Sequence, residues 1–287
     1  MLTNPRSDRV RAVRALTARS ARDRHGRFLV EGPQAVREAV AGAGGVHVRD
    51  LYLTPDAAAR YDEIVRTAAG RGIRTSLGDA AVLAAMSPDA QGVVAVADLL
   101  EPGLAAVLDA APRLVAVLAQ VRDPGNAGTV IRAADAAGAG AVVLSAHSVD
   151  VHNPKVVRST AGSLFHLPVA HGVPTADAVA ALRAAGLVVL AADGTGEHDL
   201  DDLLDVAGAA PSGVPDLATP TAWLFGNEAW GLPTADRDLA DAVVRVPLHG
   251  RAESLNLATA ATVCLYASAR AQRRSAPSVR DTGGGSR

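Results

Sequence analysis

Short apolar runs separated by segments of helical period recur along the chain, and they predict alternating strands and helices. Near the start, Val10, Val13 and Leu16 fall at helical spacing with arginines on the other faces. Phe28–Glu31 then reads as a strand, and Gly32-Pro33 as a turn that opens a helix through Val40. Val46–Leu53 predicts a strand, Pro55–Ala69 a helix, Gly72–Thr75 a short strand, Asp79–Met86 a helix and Val93–Ala97 a strand. This alternation closes a small α/β domain near Asp98. Leu99–Pro112, which carries two prolines, reads as a partly helical linker.

A buried type of strand, Leu114–Ala119, starts the second region. A glycine-rich turn, a helix over about Thr129–Ala137 and a strand at Ala141–Leu144 make a βαβ unit. Further helices are expected at Val156–Ser163, Ala176–Ala185 and Pro233–Ala240, with strands at Leu167–Ala170, Leu187–Ala192, Thr221–Phe225 and Ala242–Val246. Leu203–Pro220 reads as a surface loop, and a long helix should run from Ser254 to about Ala271. Strand and helix alternate throughout, so the expected fold class is α/β with a mainly parallel sheet. The division read from this pattern is residues 1–98, a linker 99–112, a second domain 113–272 and a disordered tail 273–287.

At 287 residues, 49% hydrophobic and 20% charged, the chain can bury a core, which excludes a disordered protein. Cys264 is the sole cysteine, so an intramolecular disulfide and a cysteine zinc cluster are excluded. His147, His152 and His166 lack compact ligand spacing, and no metal is expected. Neither a signal-type apolar region nor an apolar run of membrane-span length is present, so the expectation is a cytoplasmic protein without membrane contact.

The net charge of −2 conceals an asymmetry: +6 over Arg6–Arg27, +4 over Arg270–Arg287 and −12 between them. A basic arm on an acidic body suits a polyanion gripped locally. Arg9, Arg11, Arg14, Arg19, Arg22, Arg24 and Arg27 are the candidate phosphate contacts. Aromatic residues make up only 3% of the chain, which favours recognition of shape and backbone over base stacking.

Three segments carry the candidate chemistry: VRDPGNAGTVIRAADAAGA (Val121–Ala139), LFGNEAWGL (Leu224–Leu232) and VRVPLHGRAESLNLATAA (Val244–Ala261). Each puts polar and glycine residues where a buried strand should end, which is where open α/β sheets bind ligands. In the first, Pro124 and Gly125 are read as a turn that Asn126 caps or hydrogen-bonds across, Gly128 as a close approach to a ligand, and Arg132 as projecting to the same mouth, the alternative being an ordinary strand–turn–helix junction with a surface arginine. Neither a P-loop nor a GxGxxG pattern is present, which argues against a nucleotide phosphate. In the second, Glu228 would orient a substrate hydroxyl, pair with Arg132 or stand as an exposed turn carboxylate, and Trp230 would pack. In the third, Ser254 is the expected N-cap with Asn256 in the first helical turn. Ala258, Ala260, Ala261 and Ala267 permit tight helix packing, at a subunit interface or within a knot.

The order and spacing of these segments resemble the SpoU (TrmH-like) family of RNA 2′-O-methyltransferases, in the knotted SPOUT superfamily, over essentially the whole chain. Gly26–Val40, after a basic helix, is similar to that family's ribosomal-protein-like substrate-binding domain. The resemblance implies a deep trefoil knot in the second domain and S-adenosylmethionine held around Gly226, Val246 and Leu255, with Leu224, Asn227, Leu248 and Asn256 near it. It implies methyl transfer to a ribose 2′-hydroxyl, by catalytic residues Arg132, Asn126, Glu228, Ser254 and Asn256. It also implies a homodimer through the C-terminal domain, in which Arg132 acts at the partner's cofactor. An arginine stays protonated in proteins, so Arg132 is read as holding a phosphate or stabilising a developing alkoxide rather than as a base. The expected substrate is structured RNA, with 23S ribosomal RNA favoured over transfer RNA. A transfer-RNA ribose methyltransferase, a base methyltransferase of the same superfamily and a non-catalytic RNA-binding protein remain the alternatives, with a dinucleotide-dependent enzyme behind them.

Overall fold

The computed structural model describes residues 1–275 and contains two sheets joined by one continuous apolar core. The first region runs α1 (Asp8–Ala15), α2 (Arg19–His25), β1 (Arg27–Glu31), α3 (Pro33–Ala41), β2 (Val48–Leu53), α4 (Pro55–Arg60), α5 (Asp62–Gly70), β3 (Arg74–Leu77), α6 (Ala80–Met86) and β4 (Val93–Asp98). Its four strands lie in the order β1-β4-β2-β3, with β4 antiparallel to both neighbours and β3 parallel to β2. Side chains alternate by the two-residue strand period. Phe28, Val30, Leu51, Leu53, Val93 and Ala95 join the core shared with the second domain. Leu29, Tyr52, Val94 and Val96 face Val10, Val13 and Leu16 of the α1 segment and Val82, Leu83 and Met86 of α6.

The basic arm is therefore not a free arm. Val10 and Val13 of α1 and Leu16 just past its end, each contributing roughly 2 kcal/mol, make it a cover of the sheet. The helix expected over Pro55–Ala69 breaks at Tyr61, whose φ of −116° and ψ of 48° are not helical.

The second region runs α7 (Leu104–Asp109), β5 (Leu114–Leu118), α8 (Pro124–Ala137), β6 (Ala141–Ser145), α9 (Pro154–Ser159), β7 (Val169–Val173), α10 (Thr175–Ala184), β8 (Val188–Ala192), β9 (His198–Asp199), α11 (Leu200–Asp205), β10 (Thr221–Phe225), α12 (Thr234–Arg237), β11 (Ala242–Arg245) and α13 (Leu257–Ser275). All seven strands are parallel, in the order β7-β6-β5-β10-β8-β11-β9. β10 enters between β5 and β8, and β11 between β8 and β9, so two late strands fill slots bounded by earlier ones. Helices α8 and α13 cover one face, while Val107 of α7 and Ala178, Val179 and Leu182 of α10 cover the other. A sheet covered on both faces needs continuous apolar strands, as Leu114–Leu118 and Thr221–Phe225 supply.

The partly helical linker carries α7, whose Val107 belongs to the core. Two other sequence expectations change here. Leu203–Pro220 is not simply a surface loop, because Leu203 and Leu217 are buried. Helix α13 starts at Leu257 and runs to Ser275, beyond the expected end of the domain; the rest of the expected tail, 276–287, lies outside the described residues.

Polar contacts fix the two regions against each other. Arg22, 2% exposed, donates to Asp150 Oδ2 at 3.1 and 2.5 Å and to the carbonyls of Leu16 and Thr17. Burial alone would raise the Asp150 carboxyl, and the Arg22 hydrogen bond holds it below the ordinary carboxylate range. Arg22 is thus a buried strut and not a phosphate contact, a correction that its place among exposed arginines did not foretell. Arg158 likewise reaches Glu31 at 2.7 Å and Asp89 at 2.9 Å. His152 lies tilted against Phe28, with ring centres 4.7 Å apart, and its Nε2 accepts from Leu100 N at 3.1 Å. Burial and neighbouring His171 push its pKa down to about 4, so the ring is neutral as an acceptor must be.

Candidate active site

The C-terminal ends of β8, β10 and β11 converge on a cavity of about 390 Å³. At the end of β10 the chain turns sharply through Gly226. A Cβ there would lie 2.3 Å from the Gly231 carbonyl carbon, so no larger residue fits. Asn227 and Gly231 exchange two backbone hydrogen bonds of 2.9 Å. The Asn227 amide donates to Gln120 O at 2.7 Å and its Oδ1 accepts from Ala229 N at 2.9 Å. Asn227 therefore faces the cavity while its side chain holds the turn to the end of β5.

The first segment folds differently from its sequence reading. Asp123, not Asn126, caps α8 by accepting from Asn126 N at 2.7 Å, and Pro124 occupies the first helical position. The glycine-rich stretch is the opening of the helix rather than a turn before it. Gly128 is buried against α9, where a Cβ would lie 2.5 Å from Ser159 Cβ and 2.7 Å from Val156 O. Its small size serves helix packing and not approach to a ligand.

The third segment is corrected as well. Asn256, not Ser254, is the N-cap: its Oδ1 accepts from Ala258 N at 2.9 Å and Thr259 N at 3.4 Å. Ser254 is exposed on the wall of the cavity.

These shifts bring the three segments into one polar ladder. Asn256 Nδ2 donates to Asn126 Oδ1 at 3.0 Å, and Asn126 Nδ2 donates to Glu228 Oε1 at 3.3 Å. Glu228 also accepts from the backbone of Asp123 at 3.2 Å and Arg122 at 3.4 Å, at the positive end of α8. Arg132 takes no part. It sits six residues beyond Asn126, about 9 Å along the helix axis and well round from it. It is exposed, does not line the cavity and makes no ion pair with Glu228 or any other described residue.

Of the residues expected around a cofactor, Gly226, Asn227, Val246, Leu248 and Leu255 line the cavity. Leu224 does not, since its side chain is fully buried in the core beneath α7 and α10. Asn256 stands behind the wall in the ladder.

The lining also holds Asp193, Gly194 and Glu253, which sequence reading passed over. Asp193-Gly194-Thr195-Gly196 follows β8 as the other segments follow their strands, so the same criterion would have found it. Gln120, which adopts φ of +54° and joins β5, β6 and β10 by hydrogen bonds, carries no such signal. Trp230 is not packed as expected; it is 51% exposed, with the Arg122 guanidinium 5.1 Å from its ring centre.

The donor set tests what could bind. Asp193, Glu228 and Glu253 stand among apolar Val244, Val246, Leu248, Leu255 and Leu257, with no lysine, arginine or histidine in the lining. Such a cavity suits a largely apolar ligand bearing positive charge, as a sulfonium and an ammonium would, and disfavours a nucleoside phosphate. No cluster of metal-ligating side chains occurs among the described residues.

Residues 113–266 match the model of the SpoU rRNA Methylase family, and residues 7–95 that of the MRM3-like substrate binding domain. The chain is 34% identical to the 23S rRNA (uridine(2479)-2'-O)-methyltransferase of Streptomyces viridochromogenes, over 94% of this chain and 96% of that one. It is 32% identical to the 23S rRNA (guanosine(2553)-2'-O)-methyltransferase RlmP of Bacillus subtilis, over 92% and 97%. The AdoMet-bound rRNA methyltransferase of Sinorhizobium meliloti superposes with a TM-score of 0.77 at 31% identity, covering 94% of this chain and 97% of that one. The ladder of three segments, the cavity beside it and these matches along nearly the whole length agree: the chain belongs to the SpoU rRNA methylase family.

Proposed function

We propose that the protein transfers a methyl group from S-adenosylmethionine to a ribose 2′-hydroxyl of 23S ribosomal RNA. The observation that carries this reading is the acidic and apolar cavity bounded by the Glu228–Asn126–Asn256 ladder. The bound cofactor supplies an activated methyl on a positively charged sulfur. The chain's own residues bind and align. Val246, Leu248 and Leu255 offer apolar walls, and Asp193, Glu228 and Glu253 favour the ligand's positive charge. Asn126 and Asn256 hold the start of α8 to the start of α13, fixing the cavity rim against which the ribose must lie.

Arg132 is exposed and outside its own chain's ladder, which favours action across a homodimer at the partner's cavity. There its guanidinium would hold a phosphate or stabilise charge developing on the ribose oxygen. Val263 and Tyr266, large apolar side chains exposed on α13, are the matching candidates for the dimer face. Insertion of β10 and β11 between earlier strands supports a knotted path for the end of the chain. Trp230, exposed beside Glu228 with Arg122 over its ring, offers a stacking face for a base at the mouth. A ribosomal RNA substrate sets the reaction in the cytoplasm.

The test is methyl transfer from labelled S-adenosylmethionine into an unmodified 23S ribosomal RNA transcript, followed by digestion and nucleoside mass analysis. Label in a 2′-O-methylnucleoside is the expected result; label in a base, or none, would overturn the reading.

A further inference from the structure

Beyond α1 the four-stranded sheet keeps one end of a face open. Leu29, Tyr52 and Val96 lie on the face that α1 and α6 cover. Two residues further along their strands, the same face carries Arg27, Asp50 and Asp98. Arg27 lies opposite Asp98 and Asp50 opposite Arg74, while across the central pair Asp50 faces Val96, two residues short of Asp98. The pairing of β2 with β4 shifts between Val48 and Asp50, so Arg49 is the extra residue of a bulge, a device that re-aims a side chain. The result is a charged band across four strands, stepped by two residues between β4 and β2.

Two adjoining cavities, of about 410 and 200 Å³, share Arg27, Asp50 and Arg74 and so form one groove over this band. His47, Arg49 and Arg71 line one end, and Arg9 and His25 the other. Of its five arginines, Arg27, Arg49 and Arg74 pair with two carboxylates, Asp50 in the lining and Asp98 beside it, on a body that is otherwise strongly acidic. The carboxylates position the arginines without exhausting them. Asp98 accepts from Arg49 Nε at 3.0 Å and approaches His47 Nδ1 at 3.1 Å, and Asp50 accepts from Arg74. The Arg49 hydrogen bond holds the Asp98 carboxyl below its usual range, so it stays charged. Arg27, Arg49 and Arg74 nonetheless remain roughly half exposed, each with donors left for another acceptor.

We propose that this groove is a binding site for the sugar–phosphate backbone of the RNA substrate, an inference that rests on the reading of the chain as an RNA methyltransferase. Fixed, half-exposed guanidinium groups in a band suit successive phosphates. A protein partner would need an apolar anchor, and the groove offers none that is exposed, since Tyr52 is buried. The groove also reassigns the arginines singled out in the sequence. Arg9 and Arg27 line it; Arg11 and Arg19 pair locally with Asp8 and Asp23, and Arg22 is the buried strut.

The test uses the full-length protein and an unmodified 23S ribosomal RNA transcript, with binding measured across a salt series. The variant Arg49→Gln/Arg74→Gln should weaken binding tenfold or more at physiological salt. Its log–log salt slope should fall by about 1.5, the loss expected for two phosphate contacts. Affinity for S-adenosylmethionine should not change. Asp98→Asn removes a negative charge from the groove and should tighten RNA binding about threefold, a direction that mere loosening of the domain would not produce. Arg66→Gln, outside the groove, should bind as the parent does. If the double variant misfolds, Arg49→Gln alone should lose about half of the effect on the slope. Unchanged affinity and slope in the arginine variants, or weaker binding in Asp98→Asn, would overturn the proposal. Methylation of the transcript by the parent protein, with binding unmoved by these changes, sinks the groove and leaves the activity standing. Absence of methylation, with binding shifted as expected, does the reverse.

Discussion

Asn256 donates to Asn126 across 130 residues of sequence, and in doing so ties the cap of one helix to the first turn of another. The same side chain satisfies backbone donors of α13 through its oxygen, so it is at once a structural cap and the link between two segments. Asn256→Ala should therefore cost about 1 kcal/mol as a lost cap and remove most of the methyl transfer. Asn126→Ala should lower turnover to a similar degree. Because the two residues act through one hydrogen bond, the double variant should be little worse than either single one. Thermal melts and initial rates on the four proteins check this; additive losses would show that the ladder does not act as a unit.

Arg132 stands apart from the ladder of its own chain, and that position makes a sharp prediction about subunits. Arg132→Ala should abolish transfer with cofactor affinity unchanged. Leu248→Arg, which places a cation in an acidic cavity built for one, should lose cofactor binding. Neither variant should be active alone. Co-expressed, they should regain activity in mixed dimers, where an intact cavity meets an intact arginine. No recovery would mean that Arg132 acts within its own chain, or not at all.

The domain junction should be sensitive to acid because of His152. Burial lowers its pKa to about 4 from the ordinary 6.5. A folded value below the unfolded one means that stability is whole above about pH 6.5 and declines as pH falls toward 4. The decline should amount to about 3 kcal/mol. His166 works in the opposite sense. Its hydrogen bond to Asp135, reinforced by Glu38, raises its pKa, so its contribution is full below 6.5 and fades as pH rises through the raised value. Urea unfolding between pH 4 and 8 should show the acid loss in the parent and a flatter profile in His152→Gln. An unchanged profile would exclude His152 as the source.

Trp230 gives a spectroscopic handle. The only other tryptophan, Trp223, is fully buried and donates to Ser268 Oγ at 2.9 Å. A change in tryptophan fluorescence on adding RNA should thus report on Trp230, and Trp230→Phe should remove the signal with only a modest rise in RNA KM. A signal that instead follows protein dilution would place Trp230 in a subunit contact.

Much of this architecture can be read from the chain because strands buried on both faces must be apolar throughout, and the polar residues at their ends then mark the ligand edge. Thr221–Phe225 is predicted to the residue, and all three polar segments do meet at one rim. The failures are local and of one kind. Asp123 and Asn256 take the capping places expected of Asn126 and Ser254, because which of several neighbouring polar side chains caps a helix depends on how the helix is docked. Arg22 looks like its exposed neighbours until a partner 128 residues away, Asp150, draws it inward. The groove escaped notice because its arginines come from separate strands, one of them re-aimed by a bulge that leaves no mark in composition.

The interleaved strand order has a consequence for the protein's birth. When the ribosome has delivered the chain only as far as Pro220, β5 and β8 have been made, but β10, the strand that joins them in the finished sheet, has not. The nascent sheet then presents raw edges, the kind of surface on which chains stick to one another. The walls of the cavity at Gly226–Gly231 and Val244–Leu257 arrive after that point, nearly last. A chain cut short before Gly226 therefore lacks most of the residues that line the cavity.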